Sequence, residues 1–198
     1  MRTPTLITAA AVLFSAFFSG VRSASAATLA DRRQDAELSS VALVDSSHAW
    51  ACGDHGTVLH TVDGGATWVP QASGVDCRLH CVHFIDARNG WIVGGGYDPY
   101  VHRSRGVVLR TGDGGATWQP EPTALVPLLR RIHMDNLREG WAVGDVSPLS
   151  TNGVFFTRDG GKTWSGAGGQ LPAGVAAADF LSSAEAVCAD GRGRVVRM

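Results

Sequence analysis

One octapeptide occurs three times along the chain and constrains the fold more than any other feature. Thr61-Val62-Asp63-Gly64-Gly65-Ala66-Thr67-Trp68 returns as Thr111-Gly112-Asp113-Gly114-Gly115-Ala116-Thr117-Trp118 and again as Thr157-Arg158-Asp159-Gly160-Gly161-Lys162-Thr163-Trp164, at spacings of 50 and 46 residues. Each copy has an upstream partner: Trp50-Ala51-Cys52-Gly53, Trp91-Ile92-Val93-Gly94 and Trp141-Ala142-Val143-Gly144. All 6 tryptophans of the chain are thereby used, two per repeat. A period of 40–50 residues marks one supersecondary unit that buries its apolar face only against its neighbours. A degenerate fourth copy follows: Ala186 to Asp190 aligns with Trp141 to Asp145, and Gly193 to Met198 with Gly106 to Thr111.

Within the first unit, apolar and β-branched runs at 41–44, 48–52, 57–61 and 67–70 alternate with Asp/Gly turns, which reads as four short strands. The 25 glycines, well above the usual ~7%, fit a turn-rich chain. Four strands per unit at this period predict an all-β fold, a β-propeller of four-stranded blades with about three and a half repeats. The blades fall at about 39–72, 79–120, 129–166 and an incomplete 174–198.

The repeated turn has a structural rationale. Asp63, Asp113 and Asp159 accept hydrogen bonds from their own turns. Gly65, Gly115 and Gly161 supply positive φ. Thr67, Thr117 and Thr163 return the chain to extended geometry. Trp68, Trp118 and Trp164 bury a large ring whose N–H finds an acceptor. The three aspartates belong to three separate hairpins, so they do not form a catalytic set.

This pattern resembles the Asp-box, or bacterial neuraminidase repeat, Ser/Thr-x-Asp-x-Gly-x-Thr-Trp, found in sialidases and sortilin-type receptors among others. The pairing with Asn89-Gly90-Trp91-Ile92-Val93-Gly94 and Glu139-Gly140-Trp141-Ala142-Val143-Gly144 is similar to the photosystem II stability/assembly factor family. That resemblance covers about 39–198. It implies an exported, seven-bladed, non-catalytic propeller that chaperones a newly made reaction-centre subunit through an arginine-rich patch. Here the arginines do not recur at one position: Ser40, Cys81 and Ala176 align with Arg131.

The remaining features narrow the function. Residues 1–26 read as a secretory signal peptide, with Arg2, an apolar run and Ala24-Ser25-Ala26 before the cut; 27–38 follow as a linker. The chain is then exported (to a periplasm, the extracellular space or a thylakoid lumen), with no membrane span after cleavage. A net charge of −1 argues against a nucleic-acid partner held by bulk charge. No cofactor is called for. Cys77, His80, Cys81 and His83 are too far apart in an extended segment to share one metal, so no metal is expected. The disulfide state of Cys52, Cys77, Cys81 and Cys188 stays open. His83 and His133 align and face either an axial channel or hydrogen-bonding partners in the core.

One rim of the propeller collects Arg78, Arg103, Arg105, Arg130 and Arg131, with Tyr97 and Tyr100 in the longest loop. Arginine and tyrosine are favoured at interfaces, which makes these the candidates for binding a protein partner. Two alternatives stand beside this. One is a secreted glycan- or protein-binding propeller unrelated to photosynthesis. The other is a sialidase-like glycosidase, with Asp98, Asp145 and Asp190 near the same rim. An open stack of blades also leaves uncovered ends, so self-association is expected.

Overall fold

The computed structural model describes residues 36–100, 102–122, 126–168, 174–182, 185–190 and 192–197. The leader at 1–26 lies outside them, as does most of the linker. Fifteen strands form four antiparallel sheets, with a single 3-10 turn among the described residues. The first sheet holds β1 (Leu38–Leu43), β2 (Ala49–Gly53), β3 (Thr57–Thr61) and β4 (Val69–Ala72). The second holds β5 (Arg78–Phe84), β6 (Gly90–Asp98), β7 (Arg103–Thr111) and β8 (Gln119–Pro120). The third holds β9 (Leu129–Met134), β10 (Gly140–Gly144), β11 (Val154–Thr157) and β12 (Ser165–Gly166). The fourth has three strands, β13 (Val175–Ser182), β14 (Glu185–Asp190) and β15 (Val195–Arg197). Strands pair in chain order within every sheet, the meander of a propeller blade.

Three details differ from the sequence reading. The first strand is Leu38–Leu43 rather than 41–44. The outer strand of the first sheet begins at Val69, not at residue 67, because the Asp63 carboxylate holds Thr67 in the turn. The Thr67 hydroxyl donates to Oδ2 at 2.6 Å and its N–H to Oδ1 at 2.8 Å. In the fourth sheet the alignment is one residue out. Ala189 pairs with Val195 and Ala177, as Val143 pairs with Val154 and Arg131. Val187 therefore stands where Trp141 stands, and Ala177, not Ala176, matches Arg131.

The same register puts Asp190 where the other sheets have Gly53, Gly94 and Gly144. At those glycines a Cβ would lie 2.2 Å from the backbone carbonyl oxygens of Glu37, Arg78 and Leu128. The Asp190 turn closes differently: the Arg192 and Arg194 N–H groups both donate to its Oδ1 at 2.9 Å.

The core lies in the junctions between successive sheets. Trp50 and Phe84 stack across the first junction with ring centroids 3.8 Å apart, and Cys52, Val58, Leu79 and Ile92 fill in around them. The second junction packs Trp91, Val93 and Val108 against Leu129, Ile132 and Phe155. The third joins Val143 and Val154 to Val175, Ala178 and Cys188. All four cysteines are free thiols.

The two tryptophans of each repeat work in opposite directions. The upstream one reaches forward: Trp50 Nε1 donates to Gly114 O at 3.2 Å, and Trp91 Nε1 to Gly160 O at 2.8 Å. The Asp-box tryptophan packs backward. Trp118 is buried and donates to Gln71 Oε1 at 3.2 Å, while Trp164 is buried beside the second sheet's Trp91 and Val108. The expectation that each Asp-box ring is buried fails at Trp68, which is only half-buried, because no described sheet precedes it. Trp141 is also half-buried, since the described residues reach no fourth Asp-box turn. Trp91→Ala is therefore expected to cost about 3–5 kcal/mol, the range for deleting a large buried ring, and Trp141→Ala distinctly less. Urea denaturation of the two variants measures the difference.

Candidate functional site

Antiparallel meanders put two kinds of turn on opposite rims. One rim carries the Asp-box turns. Two successive glycines have positive φ in each: Gly64 and Gly65 at 71° and 93°, Gly114 and Gly115 at 71° and 82°, Gly160 and Gly161 at 80° and 93°. A side chain is strained in that region, which is why the pair is Gly-Gly. The aspartate then clamps the turn with two threonines. Thr117 donates its hydroxyl to Asp113 Oδ2 at 2.6 Å and its N–H to Oδ1 at 2.9 Å, and the Thr111 hydroxyl donates to Oδ1 at 2.8 Å. Asp159 has the same three donors from Thr163 and Thr157. The role of Thr67, Thr117 and Thr163 is this bond rather than a β-branched return to the strand.

The buried first threonines, Thr61, Thr111 and Thr157, escaped the site reading although they open every repeat. Their hydroxyls also accept the N–H of Gly65, Gly115 and Gly161 at 3.0, 2.8 and 3.0 Å. A second repeated device was missed too. Asp45, Asp86 and Asn136 cap the facing β-turns, and those turns offer the carbonyls of Ser47, Arg88 and Arg138 to the Gly64, Gly114 and Gly160 N–H groups at 2.9, 2.9 and 2.8 Å. The D-x-x-[HN] and N-x-x-E spacing was the available signal.

The opposite rim carries the arginines, and the structure divides them. Arg78 is engaged within the chain, 3.2 Å from Asp54 Oδ1 and 3.4 Å from Glu37 Oε2, which ties the second sheet to the first. Arg130 pairs with Asp145. His80 lies among Arg78, Arg130, Asp54 and Asp145. Burial lowers its pKa first, the two arginines push it down further, and Asp54 and Asp145 pull it up. His80 and Arg130 are the extra residues of the β-bulges in β5 and β9, where Ser39 and Ala176 stand in the other sheets. A bulge re-aims a side chain, which turns both onto this rim.

Arg103, Arg105 and Arg131 are exposed and have no carboxylate within 4.0 Å among the described residues. Arg103 and Arg105 sit on the long β6–β7 hairpin, opposite Asp98 and Gly96. Cross-strand partners share a face, so Tyr97, opposite Ser104, lies on the hairpin's other face. Tyr97 and Tyr100 are exposed, with the Tyr97 hydroxyl 3.2 Å from His102 Nδ1. The hairpin overhangs an open cavity of about 730 Å³ lined by Cys77, Arg105, Val107, Glu121 and Pro122 among others. His83 and His133 meet with ring centroids 4.9 Å apart, and His83 Nε2 donates to Met134 O at 3.0 Å. Among the described residues no three His, Cys, Asp or Glu side chains are grouped to hold a metal.

This geometry has relatives. A family model described as Photosynthesis system II assembly factor YCF48 matches residues 19–99, and one described as BNR/Asp-box repeat matches residues 155–165. A solved structure described as YCF48 bound to D1 peptide matches with a TM-score of 0.60 and 26% identity, over 79% of this chain and 49% of its own. The chain is similar to photosystem II assembly factors and has the fold of an Asp-box propeller. A second structure, YCF48 from Cyanidioschyzon merolae, shares the fold at a TM-score of 0.61 and 21% identity, over 83% of this chain and 53% of its own. The chain spans about half the length of these solved relatives. A comparison with curated proteins found no match. No helix among the described residues is long and apolar enough to cross a membrane.

The clamp makes stability depend on acid. The Thr67 hydroxyl first, then its N–H and the Thr61 hydroxyl, hold the Asp63 pKa down to about 2; Asp113 is held at about 2 in the same way by Thr117 and Thr111. For Asp159 burial pushes upward, but the bonds from Thr163 and Thr157 outweigh it and the pKa is lowered. A folded pKa below the unfolded one contributes stability above the unfolded value of about 3.9, lost as pH falls through the folded pKa. Urea midpoints should therefore drop between about pH 4 and pH 2. Asp113→Asn should flatten that drop while lowering the midpoint at pH 7.

Proposed function

We propose that this chain is an exported, non-catalytic, protein-binding propeller that holds a segment of a membrane-protein partner, with a photosystem reaction-centre subunit as the first candidate. The observation that carries this reading is the 26% identical structure, whose description names a bound D1 peptide. The partner's segment is acidic or carboxylate-bearing and meets Arg103, Arg105 and Arg131, whose planar guanidinium groups suit bidentate recognition of carboxylates. Tyr100 adds exposed aromatic area at the tip of the same hairpin, and Tyr97 adds it on the hairpin's other face.

The carboxylates of the chain support a non-catalytic role. The Asp-box aspartates are fully engaged in their turns, Asp145 is paired to Arg130, and Asp190 closes a hairpin with Arg194 Nε at 2.6 Å. A glycosidase of the usual kind needs two carboxylates facing one another across a cleft.

Fluorescence anisotropy with a labelled D1 peptide tests the proposal. Binding is expected to weaken with salt, and the triple variant Arg103→Ala/Arg105→Ala/Arg131→Ala to lose at least ~10-fold in affinity, about 1.4 kcal/mol. Arg78→Ala, which breaks half-exposed internal pairs, should change binding far less. Tight binding untouched by the triple variant would move the site off this rim. Absent binding would favour a secreted propeller with a different ligand.

A further inference from the structure

We infer that an extended, acidic peptide segment adds as a strand to the open edge of β6 at Tyr97, in the line that β5 leaves, with a carboxylate reaching across Gly96 to Arg105. The inference rests on the peptide-binding reading of this rim and states how the segment is held.

The long hairpin outruns its neighbours in the sheet. β5 begins at Arg78, opposite Gly95, while β6 runs on to Asp98. Cys77, the residue before β5, is drawn away from the hairpin, because its carbonyl accepts the Gly56 N–H of the first sheet's 3-10 turn at 2.9 Å. The last part of β6 is therefore paired with β7 on one side and with no strand on the other.

The ladder fixes where the Tyr97 backbone points. The Gly106 N–H leaves the hairpin for Val126 O at 2.9 Å, so Gly95 and Gly106 form a pair that exchanges no bonds. Such pairs alternate with bonded ones, so Tyr97 and Ser104 form another, and their N–H and C=O groups point away from each other. On the β7 side the edge is covered: Val126 O holds Gly106, and the Leu128 N–H donates to Ser104 Oγ at 3.4 Å. On the β6 side no backbone group among the described residues outside the ladder bonds to Tyr97.

The side chains around this edge select an acidic strand. Gly96 and Arg105 are cross-strand partners on one face of the hairpin, and Tyr97 lies on the other. A strand added at the edge shows alternate side chains to the two faces, so it meets Arg105 and Tyr97 together, which a segment lying on either face does not. A Cβ at Gly96 would meet nothing within 4 Å, so the way from the edge to Arg105 is clear. Strands lie ~4.8 Å apart, which sets the added strand ~10 Å from β7, a gap that an arginine and an acidic side chain cover between them. Arg105 is exposed and has no carboxylate within 4.0 Å among the described residues. The open cavity of about 730 Å³ extends from the edge residues Gly95, Gly96 and Tyr97 to Arg105. The next residue of the segment faces the exposed Tyr97 ring, which suits an apolar or aromatic partner.

Fluorescence anisotropy with the labelled D1 peptide tests the mode of binding on the full chain. Tyr97→Pro removes the edge N–H, which makes no ladder bond, whereas Tyr97→Ala removes the ring alone. The proline variant should bind at least ~5-fold more weakly than the alanine variant, the worth of an edge hydrogen bond. Gly96→Val has room for its Cβ and no positive φ to strain it, and should weaken binding by at least ~5-fold by blocking the way to Arg105. Peptides N-methylated at one backbone amide at a time put the same question to the wild-type protein, whatever the variants do to folding. The loss should fall on the amide that faces Tyr97 and spare both neighbours. Equal affinities of the proline and alanine variants with N-methyl losses at consecutive amides or at none, or an indifferent Gly96→Val, would overturn the inference and leave the arginine-rim reading to its own triple variant. A wild-type protein that binds no peptide overturns both. A wild-type dimer in sedimentation velocity that Tyr97→Pro abolishes would give the edge to a second copy and overturn the inference as well.

Discussion

An indole N–H of one sheet, donating to a glycine carbonyl in the turn of the next, is the contact on which the rest of this architecture depends. Trp50 to Gly114 and Trp91 to Gly160 are the two examples. A hydrogen bond of this kind contributes only about 0.5–1.5 kcal/mol net, but it lies in an apolar junction where an unpaired N–H would cost more. It is available only if the turn presents its carbonyl outward. That requires two residues at positive φ, hence Gly-Gly, and a clamp to hold them. The aspartate and its two threonines are the clamp. Residues that look like a signature in the sequence thus form one mechanical chain, from carboxylate to turn to carbonyl to indole.

The sequence made the architecture legible because each link needs a particular residue type. Two tryptophans, a Gly-Gly pair and an Asp at fixed offsets leave little freedom, and three copies remove the rest. What it hid were properties that depend on the neighbouring strand. The outer strand starts later than the apolar pattern suggests because Thr67 is bound to Asp63. The fourth sheet slips by one residue because Asp190 was matched by identity to Asp145, whereas the ladder sets it in the place of Gly144. Trp68 looks identical to Trp118 and Trp164 in the sequence, and only the preceding sheet that buries each of those two sets them apart.

The rim was legible as a collection of residues but not as an arrangement. Five arginines and two tyrosines share it, yet two of the arginines already have carboxylate partners. Arg78 bridges two sheets and Arg130 holds Asp145. The residue types gave no hint of this, since Asp54 and Glu37 are distant from Arg78 along the chain. His80 stood out in the sequence only as part of a rejected metal cluster, because a β-bulge, a backbone event, is what brings it to the rim. The long β6–β7 hairpin, by contrast, was visible as the longest loop, and it carries Arg103 and Arg105, two of the three arginines with no carboxylate within 4.0 Å among the described residues.

In the second unit the forward reach of Trp91 and the backward packing of Trp118 give a hook at one end and an eye at the other. Inheritance can act on such a chain by copying or dropping whole units, because the same indole-to-carbonyl contact makes successive joints. Chain length then changes in steps of one blade while each remaining joint keeps its chemistry. Loops on the arginine rim can meanwhile lengthen in a single unit, as the second has done, without disturbing the joints. Ring size and recognition surface are thereby free to diverge on separate schedules.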